Sequence, residues 1–278
     1  MTLAIRLAMW TALCFAVLEQ GGSTTDSAAR PPPPAIRLSA LHVGEELEYR
    51  VSYWFITLGS IHYRVTDSFE HGGRTVYHAE SSLQSNPTLR LLTQLHLRCE
   101  SEFDQEGFSY WWICNDSSDK WIDHAKIQFD YPNRQMYFTR AHFLPSGDRE
   151  ELGADTVAVG GPSNDGVSLL YYARTRGHQQ AEERVPAFLD KREVSLYLNF
   201  LNEREHLGIG AVDYAVDAVH LNGRANFVGP VGMTGAFELW VSNDDALVPI
   251  AARFKVRIGS VKAELVKWKR GDWSPPGG

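Results

Sequence analysis

Cys99 and Cys114 are the pair whose type and spacing could do covalent chemistry, and that chemistry is a disulfide. They flank a turn at residues 104–107, and the segments on each side read as strands. A hairpin centred on Gln105 and Glu106 sets residue 99 against residue 112, and bulging of the ladder would be needed to bring residue 114 opposite. Two buried thiols packing as small hydrophobes fit the same residues. Elsewhere the reactive side chains lack catalytic spacing. No G-x-S-x-G elbow exists, and Ser163 in the segment 161–165 lacks the second glycine. His71-Gly72-Gly73 resembles an esterase oxyanion loop, but without an elbow it reads as a hairpin turn. The ten histidines are dispersed, with neither H-x-H nor H-E-x-x-H among them.

Metal and phosphate chemistry fare no better. Glu205-His206 beside Glu203 reads as a solvated turn, and nothing in the chain proposes a metal centre. Asp116, Asp119 and Asp123 form an acidic stretch without the spacing or the central glycine of an EF-hand. Asp244-Asp245 would point to opposite faces of a strand, so they read as a turn whose carboxylates cap backbone amides. Gly208-Ile209-Gly210 and the glycines of 229–235 sit between strands, with no following Lys-Ser or Lys-Thr to hold a phosphate. No catalytic residue and no cofactor is expected. The notable surplus is aromatic: Trp111, Trp112 and Trp121 crowd the cysteine hairpin. Neighbours alternate along a strand, so Trp111 and Trp112 cannot enter the same core face; core packing is the leading account of the three, and a candidate exposed aromatic patch is the alternative.

The elements that would position these groups are strands. Leu47, Tyr49, Val51 and Tyr53 alternate with Glu46, Glu48, Arg50 and Ser52, and Val194, Leu196, Leu198 and Phe200 alternate with Ser195, Tyr197 and Asn199. Ile250, Ala252, Phe254, Val256 and Ile258 do the same against Ala251, Arg253, Lys255 and Arg257. Such alternation marks antiparallel strands with one dry and one wet face. The pairs and triplets at 71–73, 146–148, 222–223 and 258–260 read as hairpin turns. Roughly ten to twelve strands follow from this spacing, mainly β, in a large curled antiparallel sheet or half-barrel. One segment differs. Asn164 or Asp165 suits an N-cap, Val167, Leu170, Tyr171 and Arg174 share a helical face, Arg174 suits the C-terminal dipole, and Gly177 can end the helix. This short helix is expected to pack on the concave face. A second, shorter helix fits 86–94.

At the N-terminus, Arg6 precedes an apolar run over residues 7–18, about the length of a signal-peptide core and too short to span a bilayer. Ser27 and Ala29 suit a cut after residue 29. Leu13 precedes Cys14 and the run continues past it, so a lipid anchor at Cys14 is not expected. The expected organisation is a signal peptide over 1–29, a proline-rich linker over 30–39, one β-domain over 40–270 and a disordered tail over 271–278. An exported, periplasmic product places Cys99 and Cys114 in an oxidising compartment. The net charge of -7 and pI near 5.8 argue against nucleic acid or an anionic membrane as the main partner, and no later segment could span a membrane as a helix.

The run Gly44-Glu45-Glu46-Leu47-Glu48-Tyr49-Arg50-Val51-Ser52-Tyr53, with Gly59 behind it, resembles the opening of the domain-of-unknown-function 3108 family. Phe129-Asp130, the helix at 165–174, and the ending from Leu239-Trp240 through Val248-Pro249 to Leu265 resemble that family as well, over about residues 40–268. The resemblance implies an exported bacterial protein of β-rich architecture without an assigned activity. More distantly, the chain is similar to the half-barrel lipoprotein carriers of the periplasm. The expected function is therefore binding without chemistry, of a lipid or another elongated apolar ligand, with Val167, Leu170, Tyr171, Phe237 and Trp240 as candidate groove residues. An envelope scaffold that binds protein and a polysaccharide hydrolase are the alternatives. A continuous apolar cavity favours the first, a filled core with an exposed patch the second, and a polar cleft with facing carboxylates the third.

Overall fold

A computed structural model describes residues 38–89, 95–189, 191–225 and 233–278. The expected signal peptide and most of the expected linker lie outside the described residues, as do residues 90–94 of the second expected helix, whose start at Pro87–Leu89 is a 3-10 turn. Fourteen strands form one antiparallel sheet rather than the ten to twelve expected. They are β1 (Glu46–Tyr53), β2 (Ile56–His71), β3 (Arg74–Ser85), β4 (His96–Asp104), β5 (Ser109–Ser117), β6 (Ile122–Asp130) and β7 (Gln135–Phe143). The rest are β8 (Arg149–Ala158), β9 (Ala181–Leu189), β10 (Arg192–Gly208), β11 (Ala215–Ala225), β12 (Met233–Ser242), β13 (Pro249–Val256) and β14 (Ser260–Lys269). Every strand pairs with its chain neighbours, except that β1 also pairs with β14 and β8 does not pair with β9.

A sheet this wide must coil, because each strand is twisted relative to the last. It curls without closing, and its free edges, β8 and β9, are consecutive in the chain. The segment between them spans the open seam. Asn164 exchanges hydrogen bonds with β9, from its amide to the Pro186 carbonyl and from the Phe188 amide to its own carbonyl, at 3.0 and 2.8 Å. The Ser163 carbonyl accepts from the Ser109 amide of β5. The other edge is protected by charge: β8 is exposed along nearly all its length and carries Arg149, Glu150, Glu151 and Asp155.

The one α-helix among the described residues, α1 (Ser168–Arg174), follows this strap and sits inside the curl. It starts three residues later than expected. Six of its seven residues are buried, leaving Leu170 partly exposed. One flank, with Val167 and Tyr171, joins the core of β1–β7, where Tyr171 stacks on Phe103 at 4.8 Å. The other flank, with Leu169, Tyr172 and Ala173, joins the core of β9–β13. Gly107 in the β4–β5 turn has φ +88°, and a Cβ there would stand 2.8 Å from the Tyr172 Cα, so only glycine lets this turn close onto the helix.

Arg174 departs most from expectation. It does not serve the helix dipole at the surface but is fully buried, with Glu45 beside it. Its guanidinium donates to both Glu45 oxygens at 2.6 and 2.9 Å, and to the carbonyls of Ala40, Ala246 and Leu247. Arg270 donates to the same carboxylate. Burial alone would pull the guanidinium pKa down, but the Glu45 carboxylate more than offsets it and holds Arg174 above the ordinary arginine value.

Two further expectations fail. Asn222-Gly223 is not a turn but the interior of β11, facing Asn199 and Leu198 on one side and Phe237 on the other. A Cβ at Gly223 would lie 2.4 Å from the Phe237 Cζ, so the glycine makes room for that ring. Residues 271–278 are not a disordered tail. β12 ends opposite Ala218, leaving the first residues of β11 unpaired on that side, and the tail takes their hydrogen bonds: Asp217 donates to the Pro276 carbonyl and Gly278 to that of Ala215, both at 2.9 Å. Trp273 anchors it, its indole donating to Asp244 at 2.7 Å.

Replacing Arg174 by Met is expected to lower the unfolding free energy by about 3 kcal/mol, because Glu45 then keeps a buried charge with one partner fewer. Urea unfolding measures this. A loss below about 1 kcal/mol, the range of an exposed pair, would contradict the role given to Arg174.

Candidate functional site

The helix is entered through Asp165, which is fully enclosed. Its carboxylate accepts from the Val167 and Ser168 amides at 2.6 and 2.9 Å and from the Ser101 hydroxyl of β4 at 2.5 Å, while Ser168 Oγ accepts from the Asp165 amide. Asp165 thus fixes the entry angle of α1 and pins it to β4. Burial pushes its carboxyl above the usual range, against the pull of Ser101 and the two amides. Farther along, the Tyr172 hydroxyl donates to Glu183 of β9 at 2.6 Å, and Arg176 lies over the Tyr172 ring and donates to the Glu106 carbonyl. Each end of the helix is therefore tied to both halves of the sheet.

Held in this way, α1 divides the interior into two unlike spaces. On the β4–β7 side Phe103, Trp112, Phe129 and Phe138 pack the curl. On the β10–β14 side the short side chains of Ala225, Ala251, Ala252 and Ala263 leave a cavity of about 130 Å³, partly open to solvent. Leu169, Leu170 and Ala173 of α1 form one wall, facing Leu196, Leu198, Phe237, Leu239 and Phe254. Among the described residues of the lining, the only titratable groups are the phenols of Tyr49 and Tyr63. Tyr49 donates to the Pro249 carbonyl at 2.9 Å, and burial raises its pKa far above the ordinary phenol. Such a lining can bind apolar groups but offers no carboxylate, imidazole or nucleophile for proton or acyl transfer.

The family described as Protein of unknown function (DUF3108) matches residues 48–266, from β1 to β14. The chain belongs to this family. No curated protein matches this member in sequence. Among solved structures it is similar to a β-barrel-like protein of domain of unknown function DUF1849 from Brucella abortus, at 9% identity and TM-score 0.48 over 83% of this chain and 99% of that one. It is similar to a candidate exported protein with YmcC-like fold from Bacteroides fragilis, at 7% identity and TM-score 0.33 over 82% and 97%. A candidate lipoprotein from Parabacteroides distasonis aligns at 10% identity and TM-score 0.33 over 82% and 95%. Similarity at these levels says nothing of what the DUF3108 chain binds.

Of the five candidate groove residues, Leu170 and Phe237 line the cavity. Val167 and Tyr171 face the filled side of the helix. Trp240 alternates with Phe237 and Leu239 and so lies on the other face of β12, where its indole donates to Glu205 at 2.9 Å and its ring stacks on His220 at 4.9 Å. The three tryptophans do not form an exposed patch. Trp112 is buried in the core, and the outward Trp111 packs against His78. Trp121 stacks on His142 at the far end of β6, since Ser117 pairs with Ile122 there while Trp111 pairs with Gln128. Cys99 and Cys114 stand directly opposite, after a register shift at Glu102, and are paired as a disulfide.

The acidic groups are engaged by their neighbours. Asp123 takes two hydrogen bonds from Arg140 and lies opposite Asp116 in the β5–β6 ladder. Asp244 accepts from the Ala246 and Leu247 amides, the expected turn role. Among the described residues one group of three could hold a cation: Glu203, Glu205 and His220, whose ligand atoms lie within 4.8 Å of one another. The bulge in β10 before Glu203 brings it opposite His220, a register that the sequence spacing does not reveal. Glu205 there already binds the Trp240 indole and His220 Nδ1.

Asp165 carries a pH dependence. Its folded pKa is raised, so the protein's advantage over the unfolded chain is greatest below the unfolded value near 3.8 and declines as pH rises through the folded one. Asp165→Asn lacks this titration. The stability of the wild type relative to Asp165→Asn is therefore expected to fall as pH rises from about 4, as read by urea unfolding across pH; a difference that grows with pH would contradict the assignment.

Proposed function

We propose that this protein is an exported, non-catalytic binding protein that holds an apolar ligand, such as the end of an acyl chain, in the cavity between α1 and strands β10–β14. The observation that carries this reading is the lining, an apolar space whose described residues include no acid, base or nucleophile beyond two phenols. Its size bounds the occupant. A cavity of about 130 Å³ is close to the roughly 150 Å³ engineered cavity that binds benzene, so it takes a small apolar group or a few methylenes of a longer chain. Each methylene moved from water contributes about 0.8 kcal/mol, and a longer ligand leaves its remainder outside the helix wall. The apolar N-terminal run behind Arg6 supports export to the periplasm, where the facing cysteines would be oxidised. Hydrolysis of polysaccharide finds no support in this lining, which holds no pair of carboxylates.

Leu170 is the test residue because it lines the cavity and is only partly buried. The wild type is expected to bind a fluorescent naphthylamine probe that fatty acids displace. Leu170→Trp fills the space and is expected to weaken probe binding about tenfold or more, while unfolding stability changes by less than about 1.5 kcal/mol. Equal binding by the two proteins, or no binding by the wild type, would remove the cavity from the function.

A further inference from the structure

The rim of the sheet holding the β1–β2 and β13–β14 turns keeps large apolar side chains in water. Trp54, Phe55 and Ile56 of the first turn are 68%, 88% and 42% exposed, and Ile258 of the second is 72% exposed. These hairpins are adjacent through the β1–β14 ladder, in which Tyr53 pairs with Val261. The Tyr53 hydroxyl donates to the Ile258 carbonyl at 2.7 Å, and Trp54 stacks on the Tyr53 ring at 5.9 Å. A Cβ on Gly259 would approach the Trp54 indole nitrogen to 2.8 Å, so the turn glycine seats that ring. The four side chains form one braced patch at the tips of two hairpins, where turn chemistry ordinarily places polar residues.

Charge gives the patch its partner. No Asp or Glu occurs between Val51 and Thr66 or between Ala246 and Ala263, and the second stretch carries Arg253, Lys255, Arg257 and Lys262 in a chain of net charge -7. Arg253 pairs with Glu238 and Lys262 with Glu264. Lys255, near the end of β13, is exposed and engaged by a neighbour, and Arg257 is exposed in the turn beside Ile258. Four apolar tips are far fewer than the roughly 20–30 residues a side of a stable protein interface. Exposed Trp and Phe beside Lys and Arg match the head-group region of an anionic bilayer, where indoles sit at the interface and cations meet lipid phosphates.

We propose that this rim docks the protein on an anionic lipid surface, with Trp54, Phe55 and Ile258 inserted among the head groups and Arg257 against their phosphates. The inference goes beyond the cavity reading and does not need the cavity to be occupied.

Flotation of the purified exported protein with vesicles of phosphatidylcholine, alone or mixed with phosphatidylglycerol, tests it. The wild type is expected to float with the mixed vesicles and to be released by salt. The triple substitution Trp54→Ser, Phe55→Ser and Ile258→Ser is expected to weaken binding about tenfold or more at an unchanged melting temperature. Phe55→Ser alone, at the most exposed site, serves if the triple variant does not fold, and shares its N-terminus with the wild type, so any contribution from that segment cancels. A wild type that stays with the unbound protein, or a variant that floats equally well, would overturn the proposal. So would a wild type that dimerises through these tips and ignores vesicles.

Discussion

Burying one cation is the constraint on which the rest of the structure depends. Taking Arg174 out of water is costly, and the cost is offset only where a carboxylate and several carbonyls converge on it. Here that convergence joins distant parts of the chain. Glu45 directly precedes β1 and Arg270 directly follows β14, so the carboxylate is shared between the helix and the two strands whose pairing unites the halves of the sheet. Ala40 and the β12–β13 turn supply the remaining acceptors. The ion cluster therefore fixes α1 along the curl, and α1 in turn sets the path of the strap across the β8–β9 seam. Asp165 holds the other end of the helix by an uncharged network of amides and a hydroxyl.

This arrangement accounts for an interior that is half filled and half open. A curled sheet of fourteen strands encloses more space than one seven-residue helix can occupy. Aromatic side chains fill the β4–β7 side, whereas alanines on β11, β13 and β14 keep the opposite side open. Apolar cavities of this kind forgo the dispersion contacts that a filled core would make, and a ligand restores them. The exposed hairpin tips carry a second cost of the same type, in solubility, that a lipid surface would relieve.

Much of the fold was legible in the sequence because period-two alternation is a direct record of one wet and one dry face. The cysteine hairpin was legible in part: the spacing centres the turn on Gln105 and Glu106, but Phe103 faces Ser109, so the turn is one residue longer, and this with the bulge after Glu102 sets residue 114 opposite residue 99. What was hidden depended on long-range partners. Arg174 near a helix end reads as a dipole complement until Glu45, 129 positions away, is found beside it. Asn222-Gly223 reads as a turn because the same glycine that permits a positive φ also makes room for a ring on the neighbouring strand, here Phe237. The tail's Pro and Gly content suggested disorder, but unpaired amides at the start of β11 and the anchor at Trp273 order it. Of the groove residues, Leu170 and Phe237 were legible, and Trp240 was not, because alternation gives faces but does not say which face of β12 lines the cavity.

The most direct measurement is mass spectrometry of the protein purified from a periplasmic expression host, under native and then denaturing conditions. The account predicts an added mass of lipid size that is present in the native spectrum and leaves on denaturation. A native spectrum of the bare chain, unchanged after incubation with fatty acids and phospholipids, would contradict it.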